Sequence, residues 1–510
     1  MEFELAVTAE AAGAVPRLKP LVACRDGRPR SQAIRAIWYD SPDRTLLGQG
    51  QTLVETRGAW RLKRLFPGAE IWLPGQPAPV VAEGQDMASL SDLPSPLAPL
   101  VAFEGRRGLS VHVLAGGSVT LAVARGTLRA VTAERPAARI RLSGDEAAVR
   151  EAALMIAAAV PVSLPRETLA AEGIALATGW QPGPRRAGAP ELPETARTVD
   201  TALAHIMGHL LDALLWHTTR LDQGPEAVHQ MRVAVRRARS AVSLFRPAFA
   251  EGALDPLRAP LKALNARFGA TRDWDVFTGE TLPAIRATLP DDERLARLAA
   301  AADRRRREHH KALDTWLGSQ DFRLLTIELA WLIASDTWRK RAAPGTAEPG
   351  DNQGGGHGSD QGRGQGAEPG SEQPETDAEL TPFAEAVLQK RWKRLTSSGK
   401  EMDDLDIPEL HAVRLRAKQT RYAAEMFGAL FDGKGPHRFI RRLSILQERL
   451  GVLNDGAVAA SLLAELGGPG GRFGYAVGVV TGFMAARAEK LRPRIAAAFA
   501  KFRRQDPYWS

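Results

Sequence analysis

Two regimes of apolar spacing divide the chain. Up to about residue 180, hydrophobic residues alternate with polar ones in short runs, at 2–7 (EFELAV), 118–131 (SVTLAVARGTLRAV) and 138–143 (ARIRLS), with glycine and proline between them. Such alternation is the mark of strands that bury one face. One segment departs from it: 145–159 (DEAAVREAALMIAAA) reads as a helix with Asp145 near its start. From about 195 onward the apolar spacing becomes three and four, the period of helices. Helices are predicted over 196–221, 226–246, 255–268, 291–317 and 321–341, then over 382–398, 408–431, 436–452, 455–466 and 473–502. Between the two sets, 342–380 is rich in Gly, Gln, Glu and Pro and is expected to be a disordered insert. QPGPRRAGAP at 181–190 opens a linker expected to run to 194. The predicted fold class is α+β: an antiparallel β domain over 1–180, then an all-α domain over 195–510 in two halves.

The halves repeat one another. His229, Arg232, Arg236, Arg239 and Phe245 recur as His411, Arg414, Lys418, Arg421 and Phe427, each 182 residues later. The register continues without a gap into LNARFGATRDWDV (264–276) and LQERLGVLNDGAV (446–458), pairing Arg267 with Arg449, Gly269 with Gly451 and Asp273 with Asp455. A spacing kept over about fifty residues points to a duplicated helical unit.

Offsets of 0, 3, 7 and 10 from each histidine place four side chains within an arc of roughly 80° on a helix. Each helix then carries a stripe of one imidazole and three cations, with no acid expected at neighbouring stripe positions. A solvated helix face mixes signs, so the stripe looks built for an external polyanion. Planar guanidinium forks suit phosphate oxygens, and histidine adds a donor that gains charge when an anion raises its pKa. A basic surface helix without a ligand is the plainer reading, and the duplication weakens it. Nucleic-acid readers interleave aromatics with cations for stacking. Aromatics make up 6% of this chain and none lies within the stripes, so phosphate without base recognition fits better.

Composition narrows the setting. At 510 residues the chain has room for two or three domains, and a net charge of +9 favours acidic partners. One cysteine, Cys24, excludes an internal disulfide and a Cys-based metal cluster and suits a reducing cytoplasm. The start, MEFELAVTAE, lacks the pattern of a signal peptide, and no apolar run approaches the length of a membrane span. A cytoplasmic protein is expected, with no membrane partner.

VHQMRVAVRRARSAVSLFRP with GATRDWDVF, and LHAVRLRAKQTRYAAEMF with LQERLGVLNDGAVA, closely resemble the CHAD family, the conserved histidine α-helical domain, over about 195–505. The resemblance implies two four-helix bundles related by a pseudo-twofold axis, a basic cavity, binding of inorganic polyphosphate and, in some members, association with polyphosphate granules. It carries the ligand contacts to His229, Arg232, Arg236, Arg239, His411, Arg414, Lys418 and Arg421; Arg237 and Arg416 fall off the stripe. The first 180 residues more weakly resemble a CYTH domain, the triphosphate tunnel fold, through Glu2 and Glu4, the run Tyr39–Asp43, Trp60 and Arg125-Gly126. That resemblance implies an eight-stranded barrel that cleaves triphosphates with divalent metal held by glutamates. Here the lysine of the opening strand is Ala6, an R-x-R strand reads Val54-Glu55-Thr56, the acid before Arg-Gly is Ala124, and the later E-x-E strand reads Arg139-Ile140-Arg141. Clustered carboxylates are what a divalent ion needs, so a degenerate, non-catalytic copy without cofactor is expected. The alternative is a Mg²⁺- or Mn²⁺-dependent inorganic triphosphatase.

Three further signals have structural explanations. Asp273 and Asp455 are expected to cap helices after a glycine turn, rather than to form a metal pair with Asp275. The run Arg304–Arg307, Glu308, His309 and His310 reads as a solvated face. Arg438, Arg441 and Arg442 are candidates to extend the cavity's charge.

Overall fold

The computed structural model describes residues 1–65, 80–84, 90, 93–181, 183, 185–193, 196–334, 336–339, 379–398, 402 and 405–509. The insert expected over 342–380 lies outside the described residues but for Glu379 and Leu380.

Eight strands form one antiparallel sheet: β1 (Glu2–Val7), β2 (Arg25–Asp40), β3 (Gln51–Thr56), β4 (Ala59–Arg64), β5 (Val80–Gly84), β6 (Ala98–Leu114), β7 (Gly117–Ala130) and β8 (Glu134–Gly144), in the order β1-β8-β7-β6-β2-β3-β4-β5. The alternation seen in the sequence sets the faces. Leu5, Val123 and Ile140 point into the core, while Glu4 and Arg141 stand opposite one another on the other face. Two single turns, α1 (Lys19–Ala23) and α2 (Thr45–Gly48), punctuate the strands. Two longer helices follow them, α3 (Glu146–Ala159), with Asp145 at its N-cap, and α4 (Leu169–Thr178).

The expected closed barrel is not formed among the described residues; β1 and β5 are the two ends of an open sheet. The reason is local. Ala6 exchanges both backbone hydrogen bonds with Ser163, at 2.8 and 3.0 Å, so the chain leaving α3 covers the edge that a closing strand would need. The sheet nevertheless curls, and Lys63 on β4 feels the charges of Arg141 on β8 and Glu4 on β1.

The helical region begins with α5 (Val199–His217), α6 (Pro225–Phe245), α7 (Asp255–Val276), α8 (Leu282–Arg286), α9 (Glu293–Leu317) and α10 (Gln320–Ala334). The second half holds α11 (Leu380–Ser397), α12 (Ile407–Phe427), α13 (Gly435–Glu465) and α14 (Gly474–Arg503). Helices α6 and α12 have the same bounds 182 residues apart, and each runs into a short 3-10 turn, Arg246–Ala248 and Gly428–Leu430. The predicted break near 268 does not occur, and the two helices expected over 436–452 and 455–466 are one. Neither Gly269 nor Gly451 turns the chain. A π turn, Phe277–Thr281, follows α7 instead. No helix among the described residues is long and apolar enough to cross a membrane.

Core packing ties everything together. One hydrophobic cluster runs from the sheet and α3 through α10 into α5, α6, α11 and α12. At the junction Phe3 meets Trp331 edge-on at 5.5 Å, and Arg323 donates to the Ala157 carbonyl at 3.2 Å. A second cluster joins Trp274, Phe277 and Leu298 of the first half to Leu462, Val477 and Val480 of the second. The described part of the predicted linker lies against the helices: Ala187 donates to Gln230 at 3.0 Å and Arg185 pairs with Asp212.

Candidate functional site

Helices α6 and α12 meet face to face. Phe245 and Phe427, equivalent in the repeat, touch each other at 5.4 Å between ring centres, and Phe383 closes the group. Contact between equivalent residues is what a twofold-like pairing of the halves produces. Beyond this apolar anchor, the buried seam on each helix gives way to its row of cations.

Five of the eight predicted residues come together there. Lys418 of α12 lies in the field of Arg232, Arg236 and Arg239 of α6 and of Arg414 on its own helix. Burial, reinforced by those four charges, pushes its ammonium down to about 8. Burial likewise lowers Arg232 and Arg414; Arg236 presses on both, and Arg414 also feels Arg232. Arg236 donates from Nε to the Tyr422 hydroxyl, and its guanidinium lies 5.9 Å from the Tyr422 ring centre.

The remaining three stand apart. His229 is half-buried, and burial together with Arg272 lowers its pKa. His411 is exposed. Arg421 pairs with Glu425 on its own helix at 3.4 Å. Glu425 falls on the same helix face as the stripe, so the expectation of no neighbouring acid fails for α12. The omission arose because the acid sits one turn beyond the repeated motif. Off-stripe Arg237 also pairs with Glu425, at 2.6 Å across the two helices, and Arg416 is exposed.

Asp273 and Asp455 are not caps. Each lies inside a long helix and faces the arginine of its own half. Asp273 pairs with Arg232 at 3.2 Å, and Asp455 lies in the field of Arg414 and Arg487. Burial raises both carboxyls above their usual range, and Asp273 pushes Asp455 further. Asp275 turns away to His310, at 2.7 Å, so the two acids of RDWD do not converge. Gly269 has a role that a turn would not give it. A Cβ there would stand 2.8 Å from Nη1 of Arg232, so the missing side chain is the space the guanidinium occupies.

Beside the stripes opens a cavity of about 350 Å³. Arg236, Arg239 and Lys418 reach it from the stripes, and Arg246, Arg258, Lys262 and Arg391 add charge from α7, α11 and the turn after α6. Among the described residues Asp255 is its one acidic lining residue, paired with Arg258 at 3.1 Å. Sequence reasoning missed these four cations because they do not repeat. Arg258 and Lys262, one turn apart, were visible only as a basic pair. The other basic runs point elsewhere. Arg305 and Arg307 pair with Glu308 and Asp303, as a solvated face does, but Arg306 and His310 turn inward to the buried Asp275, at 3.8 and 2.7 Å. Arg438 and Arg441 are exposed outside the cavity lining, and Arg442 donates to the Lys501 carbonyl at 3.5 Å. On the sheet, Arg139 and Arg141 hold Glu4 at 3.5 and 3.1 Å.

The site thus lies in a helical domain whose two halves share one register of residues, with cations gathered where the halves meet. The CHAD domain family matches residues 205–464, just over half of the chain, and the protein belongs to that family. Among solved structures, the CHAD domain from the plant Ricinus communis is 27% identical, covering 64% of this chain and 99% of its own with a TM-score of 0.49. PptA from Streptomyces chartreusis is 17% identical, covering 60% of this chain and 99% of its own with a TM-score of 0.42. No curated protein matches the chain.

Proposed function

We propose that the helical region binds inorganic polyphosphate without catalysing a reaction on it, in a cleft between two four-helix halves related by a pseudo-twofold axis. One observation carries the reading. Burial, with Arg236, Arg414, Arg239 and Arg232 crowding around it, pushes Lys418 down to about 8, and a chain of phosphates relieves both the lost solvation and the repulsion. Membership of the CHAD family supports the same ligand. The eight stripe residues are the proposed contacts, with His229 and His411 at the margins and Arg421 held aside by Glu425. Retention on immobilised polyphosphate should fall steeply with salt. Arg232→Glu with Arg414→Glu should abolish it while far-UV circular dichroism stays unchanged. Parent-like retention by that double variant refutes the assignment. Excess DNA or RNA should not displace the chain.

The sheet domain reads as a degenerate CYTH fold with no hydrolase activity, since two arginines occupy the carboxylate of Glu4. Full-length protein incubated with tripolyphosphate and Mg²⁺ or Mn²⁺ should release no phosphate. Release that is lost in Glu2→Gln or Glu4→Gln restores the triphosphatase alternative. Residence on polyphosphate granules in the cytoplasm follows from the ligand and is tested by imaging the tagged protein in cells depleted of polyphosphate.

A further inference from the structure

The 182-residue register shows where the two copies have parted. Ser240, Ser243 and Gln419 line the open cavity with small or uncharged polar side chains. Their counterparts are Tyr422, Glu425 and Arg237. Those three fill the corresponding face of the other copy. Tyr422 is 1% exposed, and the guanidiniums of Arg237 and Arg421 lie 5.4 and 5.7 Å from its ring centre. Glu425 bonds both arginines, at 2.6 and 3.4 Å. The outer cations are one-sided as well. Arg246, Arg258, Lys262 and Arg391 correspond to Gly428, Ile440, Ser444 and His209.

We propose that the cleft is a blind pocket that takes the end of a phosphate chain rather than threading its middle. This rests on the polyphosphate reading above. An anion entering past Arg258 and Lys262 meets Arg239, Arg236 and Lys418. Behind Arg236 stands the buried phenol that accepts its hydrogen bond, where a through-passage would need its second mouth. The buried ring of Tyr422, with Arg237 and Arg421 tied to Glu425 beside it, leaves an advancing phosphate no room. A terminal phosphate carries about −1.5 to −2 charge near neutral pH if it titrates as a monoester does. An internal unit carries one, so the crowded cations at the blind end favour the terminus.

Titration calorimetry on the full-length protein tests this with a short and a long polyphosphate, each with free termini or with both termini blocked as phosphoramidates. The expected result is no more than two proteins per chain at either length, and blocked chains about tenfold weaker or worse, or 1.4 kcal/mol. Protein bound in proportion to chain length, or blocked chains bound as tightly as free ones, overturns the proposal. If no chain binds in any form, the polyphosphate reading itself fails and end capture goes with it. The plug is tested separately by Tyr422→Ser, Glu425→Ser and Arg237→Gln together, which copies the open side onto the closed one. A variant that keeps its circular dichroism should bind blocked chains. If it stays as sensitive to blocking as the parent, the plug is not the barrier. Should it unfold, the parent's stoichiometry and blocking data decide alone.

Discussion

Lys418 offers the most quantitative test of the cleft, because its charge is already half lost near pH 8. The perturbation is pH itself. With a free pKa of about 8, roughly a tenth of the molecules carry a neutral Lys418 at pH 7 and roughly nine-tenths at pH 9. A phosphate chain returns the ammonium towards its ordinary value, so the bound pKa lies above the free one and binding takes up a proton. Affinity is then full below pH 8 and lost as pH rises through it. Between pH 7 and pH 9 the loss is about tenfold, or about 1.4 kcal/mol. The ligand-free fold has the opposite sign. Charged Lys418 burdens it at and below pH 8, and that burden lifts as pH climbs towards 10. Calorimetry at fixed ionic strength, in two buffers of different ionisation heat, counts the protons directly. Near half a proton is expected at pH 8. Lys418→Arg keeps the charge at every accessible pH and should bind while losing both this uptake and the decline above pH 8. No uptake in the parent, or the same uptake in the arginine variant, refutes the argument.

Other outcomes follow from particular contacts. Gly269→Ala should weaken polyphosphate binding severalfold by displacing the Arg232 guanidinium. Its equivalent Gly451→Ala, with nothing within 4 Å of the new Cβ, should leave binding alone and raise helix stability by up to about 1 kcal/mol; equal effects at the two sites in retention and melting assays contradict the cleft geometry. Asp273→Asn removes a half-buried carboxyl that competes for Arg232, so binding should tighten, and weaker binding would show that the acid positions the arginine instead. Below pH 6.5 affinity should rise again as His229, lowered by burial and Arg272, gains its proton beside the anion, and His229→Gln should flatten that limb alone. Phe427→Ala breaks the ring contacts with Phe245 and Phe383 and should cost about 3–5 kcal/mol in denaturant unfolding; a cost below 1 kcal/mol would mean that the rings do not hold the halves together.

The repeat made much of this legible beforehand. Helical spacing with an unbroken register located α6 and α12 as matching elements, because both the cations and the buried seam recur at the same interval. The errors have physical causes. Gly269 was read as a turn because glycine is a poor helix former, yet here it clears space for a neighbouring guanidinium and the helix continues. Asp273 looked like a cap because a cap and a mid-helix counter-ion share a composition, and only the approach of Arg232 tells them apart. Arg391 was invisible as a site residue because it reaches the cleft from a different helix and its counterpart at position 209 is a histidine rather than an arginine. The barrel expectation failed for want of any signal that the segment after α3 would take the edge of β1.

The unbroken cluster that includes Phe3, Ile156 and Trp331 makes the meeting of sheet and helices an interior rather than a seam. Cutting the chain there would not yield two finished bodies. Each piece would present to water an apolar face whose only cover was the other, the condition under which fragments precipitate or melt. The sheet is therefore part of the scaffold on which the helices stand, whatever else it binds.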